Sequence, residues 1–303
     1  MAAIELDGVT KRYGDVTALR GVDMAVEEGE IFGFLGPNGA GKTTTIDVLL
    51  DFVRPTAGSA TVLGHDVREE PRAIRRRTGV LPEGFDVYER LTGRQHVEFV
   101  GEAKGVDVDP DALLSRVGLD GEDADRKAGG YSKGMKQRLV LGMALVGEPD
   151  LLILDEPSTG LDPNGARLMR EVVREERDRG ATVFFSSHIL GQVEAVCDRV
   201  AILQDGEIVA VDSVEGLREA TDAGTVMEIT LAAPVDGVVE AVEAVADVEG
   251  ASADGATLTV RCTGDVKMDV LNAVEEAGGE VETFDTEEAS LDELFAAYTE
   301  GSA

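Results

Sequence analysis

Cysteine, histidine and lysine are all scarce in this chain of 303 residues, with two, three and seven copies. Cys197 and Cys262 lie far apart, and His65, His96 and His188 are scattered. Neither a disulfide framework nor a zinc site at the usual ligand spacing is encoded. Long apolar runs are missing too. The longest, near Leu139–Gly147, falls far short of the roughly 20 residues that span a bilayer. No basic and apolar leader precedes Ile4. These absences lead to the expectation of a soluble, cytoplasmic chain that can still dock on a membrane protein.

Positive charge is short as well. Sixty acidic residues against 28 basic ones leave a formal charge of −32. Such a surface repels nucleic acid and anionic lipid, which argues against a duplex-binding function. The imbalance is steepest after residue 220, where 20 acidic residues face only Arg261 and Lys267. A solvated acidic surface with seven lysines to 21 arginines suits a halophilic setting, where salt relieves self-repulsion. Apolar residues still make up 43% of the chain, enough for a folded core. Its length fits one large and one small domain.

Alternating apolar positions at Ile4, Leu6 and Val9, then Leu19, Val22, Met24 and Val26, predict half-buried strands. Ile31–Leu35 reads as a buried strand running into a glycine-rich loop, and Lys42–Phe52 continues as a helix. From about Arg68 to Arg126 the pattern is mainly helical. A helix from about Gly134, a strand at Leu151–Leu154 and a helix at Asn164–Arg179 follow. Next come a strand at Ala181–Ser186, a helix at Leu190–Cys197 and strands at Val200–Leu203 and Glu207–Val211. This alternation predicts an α/β domain over 1–220 with a mixed, mostly parallel sheet and a helical subdomain at about 84–146. Beyond a linker at Thr221–Gly224, residues 225–303 predict a small α+β domain. Strands at Val226–Leu231, Val248–Ala251, Thr257–Arg261 and Glu280–Thr286 alternate with helices at Val235–Val245 and Val266–Ala277. That order is ferredoxin-like, closed by a short helix at Leu291–Tyr298.

Chemistry concentrates in the first domain. Gly36, Pro37, Asn38, Gly39, Ala40, Gly41, Lys42, Thr43 and Thr44 form a complete P-loop, G-x-x-x-x-G-K-[ST]. Its glycines let backbone N–H groups turn inward around phosphate oxygens, and the following helix adds its positive end. Lys42 is expected on the β- and γ-phosphates, the Thr43 hydroxyl on Mg²⁺ and Thr44 on phosphate. Leu151–Leu154 delivers Asp155 and Glu156 at its end. Asp155 is expected to hold Mg²⁺, and Glu156 to act as general base on the attacking water.

With these motifs in place, residues 1–220 resemble the nucleotide-binding subunit of an ABC transporter, a P-loop ATPase that uses ATP and Mg²⁺. The family signature, usually Leu-Ser-Gly-Gly-Gln, corresponds here to Tyr131-Ser-Lys-Gly-Met135, and Gln137-Arg138 fits the pattern downstream. The resemblance implies that Ser132 and Gly134 meet the γ-phosphate held by an opposing subunit. It places Tyr13 on the adenine and Asp162, in Ser158-Thr-Gly-Leu-Asp162, on the loop through which subunits communicate. His188 becomes the switch histidine. Glu83, in Leu-Pro-Glu, occupies the usual position of a glutamine and can ligate Mg²⁺ or position water.

Leu-Pro-Glu, the altered signature and Ser290-Leu-Asp-Glu-Leu-Phe295 together resemble the ATPase subunits of type-2 ABC exporters, of the drug- and sodium-efflux kind. The partners implied are a separate transmembrane permease and a second ATPase chain, identical or paralogous, at the inner face of the membrane. The permease would enter a groove near Phe85–Gly105, where Phe85, Tyr88 and Leu91 could offer apolar contacts. An ABC import subunit would share the catalytic core, although many carry β-rich C-terminal domains. A soluble ABC ATPase of translation or DNA repair would carry two cassettes or a long coiled coil, and a surface that tolerates nucleic acid.

Overall fold

The computed structural model describes residues 1–216, 225–235, 237–262 and 266–288. The chain divides into two compact units, Met1–Val214 and Glu215–Ala303. In the first, β1 (Ala2–Tyr13) and β2 (Val16–Glu27) form an antiparallel hairpin. Ile4, Leu6 and Val9 face the core opposite Val26, Met24 and Val22, as alternation requires of a sheet with one buried face. β3 (Ile31–Leu35) is buried along its whole length and leads through the P-loop into α1 (Lys42–Leu49). That helix stops short of Phe52, because Leu50 leaves helical geometry and Asp51 turns left-handed (φ 53°). β4 (Ala57–Val62) and β5 (His65–Asp66) complete an antiparallel sheet of order β2-β1-β4-β5.

α2 (Pro71–Arg77) is followed by β6 (Thr78–Leu81), a strand inside the segment that reads as helical. Four residues carry too little periodicity to reveal it. Gly79 is what lets it lie there, since a Cβ would stand 2.0 Å from the Ala144 carbonyl oxygen. Helices α3 (Gly93–Lys104), α4 (Pro110–Arg116), α5 (Glu122–Asp125) and α6 (Lys133–Leu145) come next. Thr92 starts α3 through a full capping box with Gln95, and Asp109 caps α4 ahead of Pro110. β7 (Leu151–Asp155), α7 (Pro163–Asp178), β8 (Thr182–Ser187), α8 (Leu190–Glu194), β9 (Arg199–Gln204) and β10 (Glu207–Ser213) finish the unit.

The central sheet runs β10-β9-β3-β8-β7-β6, parallel except for the β10–β9 pair. β3, β7 and β8 are buried on both faces, and mostly apolar, as strands of a sheet covered on both sides are. Phe34 packs on Phe184 with ring centroids 5.2 Å apart, and each fully buried phenylalanine contributes roughly 2–3 kcal/mol. Parallel pairing has a functional consequence: β3, β7 and β8 all end at the same edge. The P-loop, Asp155-Glu156 and Ser187-His188 follow those ends, so three distant stretches of sequence meet.

The second unit holds β11 (Thr225–Leu231), α9 (Val238–Glu243), β12 (Val248–Asp254), β13 (Thr257–Cys262), α10 (Lys267–Glu276) and β14 (Val281–Glu288). Its sheet is antiparallel with order β12-β13-β11-β14, the ferredoxin-like arrangement. Met227, Ile229, Leu258 and Val260 pack against Val238, Val242, Val270 and Val274 to give this unit its own core. The linker read at Thr221–Gly224 and the closing helix read at Leu291–Tyr298 lie outside the described residues.

Candidate active site

At the end of β3 the chain needs a tight turn before α1 can start. Gly41 caps that helix at φ 114°, where a Cβ would come within 2.8 Å of the Ala18 carbonyl oxygen. Pro37, Asn38 and Gly39 are exposed, Gly36 and Ala40 are buried, and Thr44 is half-buried. Lys42 folds back over this loop. It is 7% exposed, and its Nζ donates to the Gly36 carbonyl oxygen at 2.7 Å. The same Nζ lies 3.5 Å from Glu156 Oε1.

Both carboxylates at the C-terminal end of β7 are buried as well. Asp155 Oδ2 lies 3.5 Å from the Thr43 hydroxyl, while Oδ1 accepts a hydrogen bond from the Ser186 hydroxyl. Burial pushes the Asp155 carboxyl above its ordinary pKa, and the neighbouring Glu156 charge adds to that; Ser186, Lys42 and the Glu83 backbone N–H oppose it. Glu156 adopts φ 49°, a left-handed conformation that costs a side-chain-bearing residue about 1–2 kcal/mol. The strain is held in place from both sides: its N–H donates to the Ser186 carbonyl at 3.2 Å, and its own carbonyl accepts from Thr159 N–H at 3.2 Å. His188 Nδ1 lies within hydrogen-bonding distance of Glu156 Oε1, at 2.8 Å. Glu156 Oε2 is buried without a hydrogen-bond partner among the described residues.

Lys42, Thr43, Asp155, Glu156 and His188 are therefore one connected cluster. It opens onto a cleft of about 530 Å³ whose walls include Thr43, Glu83, Phe85, Lys133, Lys136 and Glu156. Glu83 is exposed on that wall. Gln137 ties the next helix in, its Nε2 donating to the Pro157 carbonyl at 3.0 Å.

The signature residues are arranged differently. Ser132 is exposed and caps α6, accepting from Met135 N–H at 3.2 Å. Gly134 faces Gly160 and Leu161, and Asp162 caps α7 by accepting from Gly165 N–H at 2.9 Å. No hydrogen bond among the described residues joins Ser132, Gly134 or Asp162 to the P-loop. Tyr131 is buried within the helical subdomain, with its hydroxyl on the Asp123 carbonyl and Arg126 over its ring at 5.5 Å. Burial raises the pKa of that phenol. Tyr13, 46% exposed near the β1–β2 turn, carries the Lys11 ammonium 4.7 Å from its ring centre.

Two polar residues of this region are not singled out by the sequence reading. Ser186 contacts Asp155, and Gln192 Oε1 accepts from both Ser158 Oγ (2.8 Å) and Ser187 Oγ (3.1 Å). Gln192 thus joins the loop after β7 to the loop that carries His188. A pair of serines at the end of an apolar strand is the available signal for Ser186; Gln192 sits in an ordinary helical pattern and has none. His96 has a structural role, accepting from Tyr88 N–H at 3.0 Å and donating to the Thr92 carbonyl at 2.7 Å.

Comparison with known proteins agrees with this geometry. Residues 19–159 match the ABC transporter family model, and residues 213–299 match the C-terminal domain of DrrA1-3-like ATP-binding proteins. The chain is 37% identical to the daunorubicin resistance ATP-binding protein DrrA3 of Streptomyces coeruleorubidus, across 97% of this chain and 94% of that protein. It is 41% identical to a fluoroquinolones export ATP-binding protein of Mycobacterium tuberculosis, across 72% and 73%. The dimeric structure of MJ0796, a bacterial ABC transporter cassette, superposes with a TM-score of 0.65 at 25% identity, across 70% of this chain and 98% of that one. The chain belongs to the ABC transporter ATP-binding family, as a single ATPase cassette followed by a DrrA-type C-terminal domain.

Proposed function

We propose that this ATPase drives export through a separate membrane permease, working as a dimer of identical or paralogous chains at the inner face of the membrane. Export is the activity named for the fluoroquinolone relative, and drug resistance for the daunorubicin one, which matches this chain through its C-terminal domain. No helix among the described residues is long and apolar enough to cross a membrane, so the transport path falls to a partner. The observation that carries the proposal is the split between a connected cluster around Lys42 and Glu156 and a signature turn whose Ser132, among the described residues, hydrogen-bonds to its own helix.

In this reading the P-loop N–H groups and Lys42 bind the β- and γ-phosphates, Thr44 adds a hydroxyl, and Tyr13 stacks on adenine. Thr43, Asp155 and Glu83 offer only oxygen donors, the set a hard Mg²⁺ prefers, and those residues would hold it. When bound, that ion supplies positive charge that stabilises the transferring phosphoryl group. Glu156 Oε2 is the free acceptor that takes the proton of the attacking water. Lys42 leaves the Gly36 carbonyl for phosphate, and His188, already on Oε1, turns between Glu156 and the γ-phosphate. Ser132 and Gly134 complete the site on the opposing chain, and the Ser158–Asp162 loop passes information between the two. Binding of ATP closes the pair and hydrolysis releases it.

Glu156→Gln removes the base while keeping the shape. It should lower turnover by about 10²–10⁴-fold and trap an ATP-bound dimer, read by phosphate release and by mass in solution. A monomeric variant that hydrolyses ATP normally sinks the mechanism. The acidic surface supports a halophilic setting: the melting temperature should rise between about 0.1 and 3 M KCl as screening shortens the Debye length to a few ångströms. A fall over that range removes the halophilic reading.

A further inference from the structure

Ser186 lies at the centre of the active cluster without a role in the chemistry so far described. It sits near the end of β8, fully buried, directly beside Asp155 in the parallel β7–β8 register. In a sheet, paired residues project from the same face, so the register itself brings the hydroxyl to the carboxylate. The Ser186 hydroxyl donates to Asp155 Oδ1. That leaves Oδ2, the oxygen 3.5 Å from the Thr43 hydroxyl, on the cleft side. The Ser186 carbonyl also accepts the N–H of Glu156 at 3.2 Å, in the strained turn that aims the base.

We infer that Ser186 is a positioning residue for the divalent cation: its hydroxyl occupies one Asp155 oxygen and so orients the other toward Thr43 as the metal ligand. A carboxylate on a single Cβ–Cγ bond can rotate by half a turn and exchange its oxygens. A buried donor on one of them removes that freedom, and partners of this outer shell typically account for about 10–100-fold in metal affinity. The inference rests on the reading of Asp155 and Thr43 as metal ligands.

The test uses the full chain with Mn²⁺ as the probe, in the presence of a non-hydrolysable ATP analogue, with free Mn²⁺ counted by electron paramagnetic resonance. Ser186→Ala should bind Mn²⁺ about 10-fold or more weakly than the parent, while affinity for the analogue without metal stays unchanged. Ser186→Thr should restore the parent value and Ser186→Val should not, because the two have the same shape and differ only in the hydroxyl. That pair decides the question equally well if the alanine variant does not fold. Equal Mn²⁺ affinity in the parent, threonine and valine proteins overturns the inference and leaves the ligand reading standing. So does an equal loss of metal-free nucleotide affinity, which marks a general structural effect. If the parent itself shows no analogue-dependent Mn²⁺ binding, the assignment of Asp155 and Thr43 fails first, and the role of Ser186 goes with it.

Discussion

The P-loop side of the cassette and its signature side are built on opposite principles. On the P-loop side the charged groups are interlocked: buried Lys42 lies on Gly36 and Glu156, buried Asp155 on Ser186, and the more exposed His188 on Glu156. Glu156 Oε2 alone is left without a partner among the described buried side-chain oxygens of this cluster. On the signature side Ser132 is exposed, and the hydrogen bond its hydroxyl makes among the described residues caps α6. A buried, interlocked cluster must be broken open by its ligand, whereas an exposed helix cap keeps donor capacity to spare for one. The serine hydroxyl accepts from Met135 N–H and still has its own proton to give. Under the proposed function the difference is that of a poised half-site and a presenting half-site, which would complement each other between two chains.

The largest effects should come from breaking one side at a time. Lys42→Ala removes a charge-assisted phosphate contact worth about 1.5–3 kcal/mol, so ATP affinity should fall roughly 10- to 150-fold, measured by titration calorimetry. Unchanged affinity removes Lys42 from the phosphate site. Ser132→Asp keeps a good helix cap and sets a negative charge where the opposing phosphate is expected. Melting temperature and ATP affinity should hold, while turnover drops by about 100-fold or more, as for loss of one oriented donor to a developing charge. The two defects should then complement each other. A mixed dimer of Lys42→Ala and Ser132→Asp chains has one site with both lesions and one with neither, so mixing two inactive proteins should restore activity. If mixtures stay inactive although heterodimers form, the two sides do not work across chains.

The same contrast explains what could be read without coordinates. β3, β7 and β8 were legible because a strand buried on both faces is a continuous apolar run, and the P-loop and Asp155-Glu156 follow those runs directly. Parallel pairing of such strands brings their C-terminal ends to one edge, so the cluster was implied by the pattern. Ser186, Gln192 and β6 were not legible. Each depends on contacts between distant segments: a hydroxyl placed by strand register, an amide bridging two loops, and a four-residue strand that Gly79 lets lie against Ala144. Tyr131 was not legible either: the signature motif marks its position, but only the contacts show that its ring fills the helical subdomain and its hydroxyl points to Asp123.

The smallest predicted effect follows from that placement and probes the signature side most finely. Tyr131→Phe keeps the buried ring and the Arg126 stacking but removes one of two donors to the Asp123 carbonyl, which retains the Arg126 N–H at 3.3 Å. A lost hydrogen bond that leaves a buried acceptor wholly bare costs about 1–3 kcal/mol, and here the acceptor keeps one donor. Asp123 itself is partly exposed, 39% by its side chain, so water can reach part of the gap and the lower figure applies. Stability in urea should therefore drop by about 1 kcal/mol, with ATP affinity and turnover unchanged. Tyr131→Leu, which brings in the usual family residue, loses ring volume as well and should cost more stability for the same unchanged nucleotide binding. If either variant shifts ATP affinity or turnover at a temperature where it is fully folded, Tyr131 belongs to the nucleotide-facing surface. The division between an interlocked half-site and a presenting one would then have to be redrawn through residue 131.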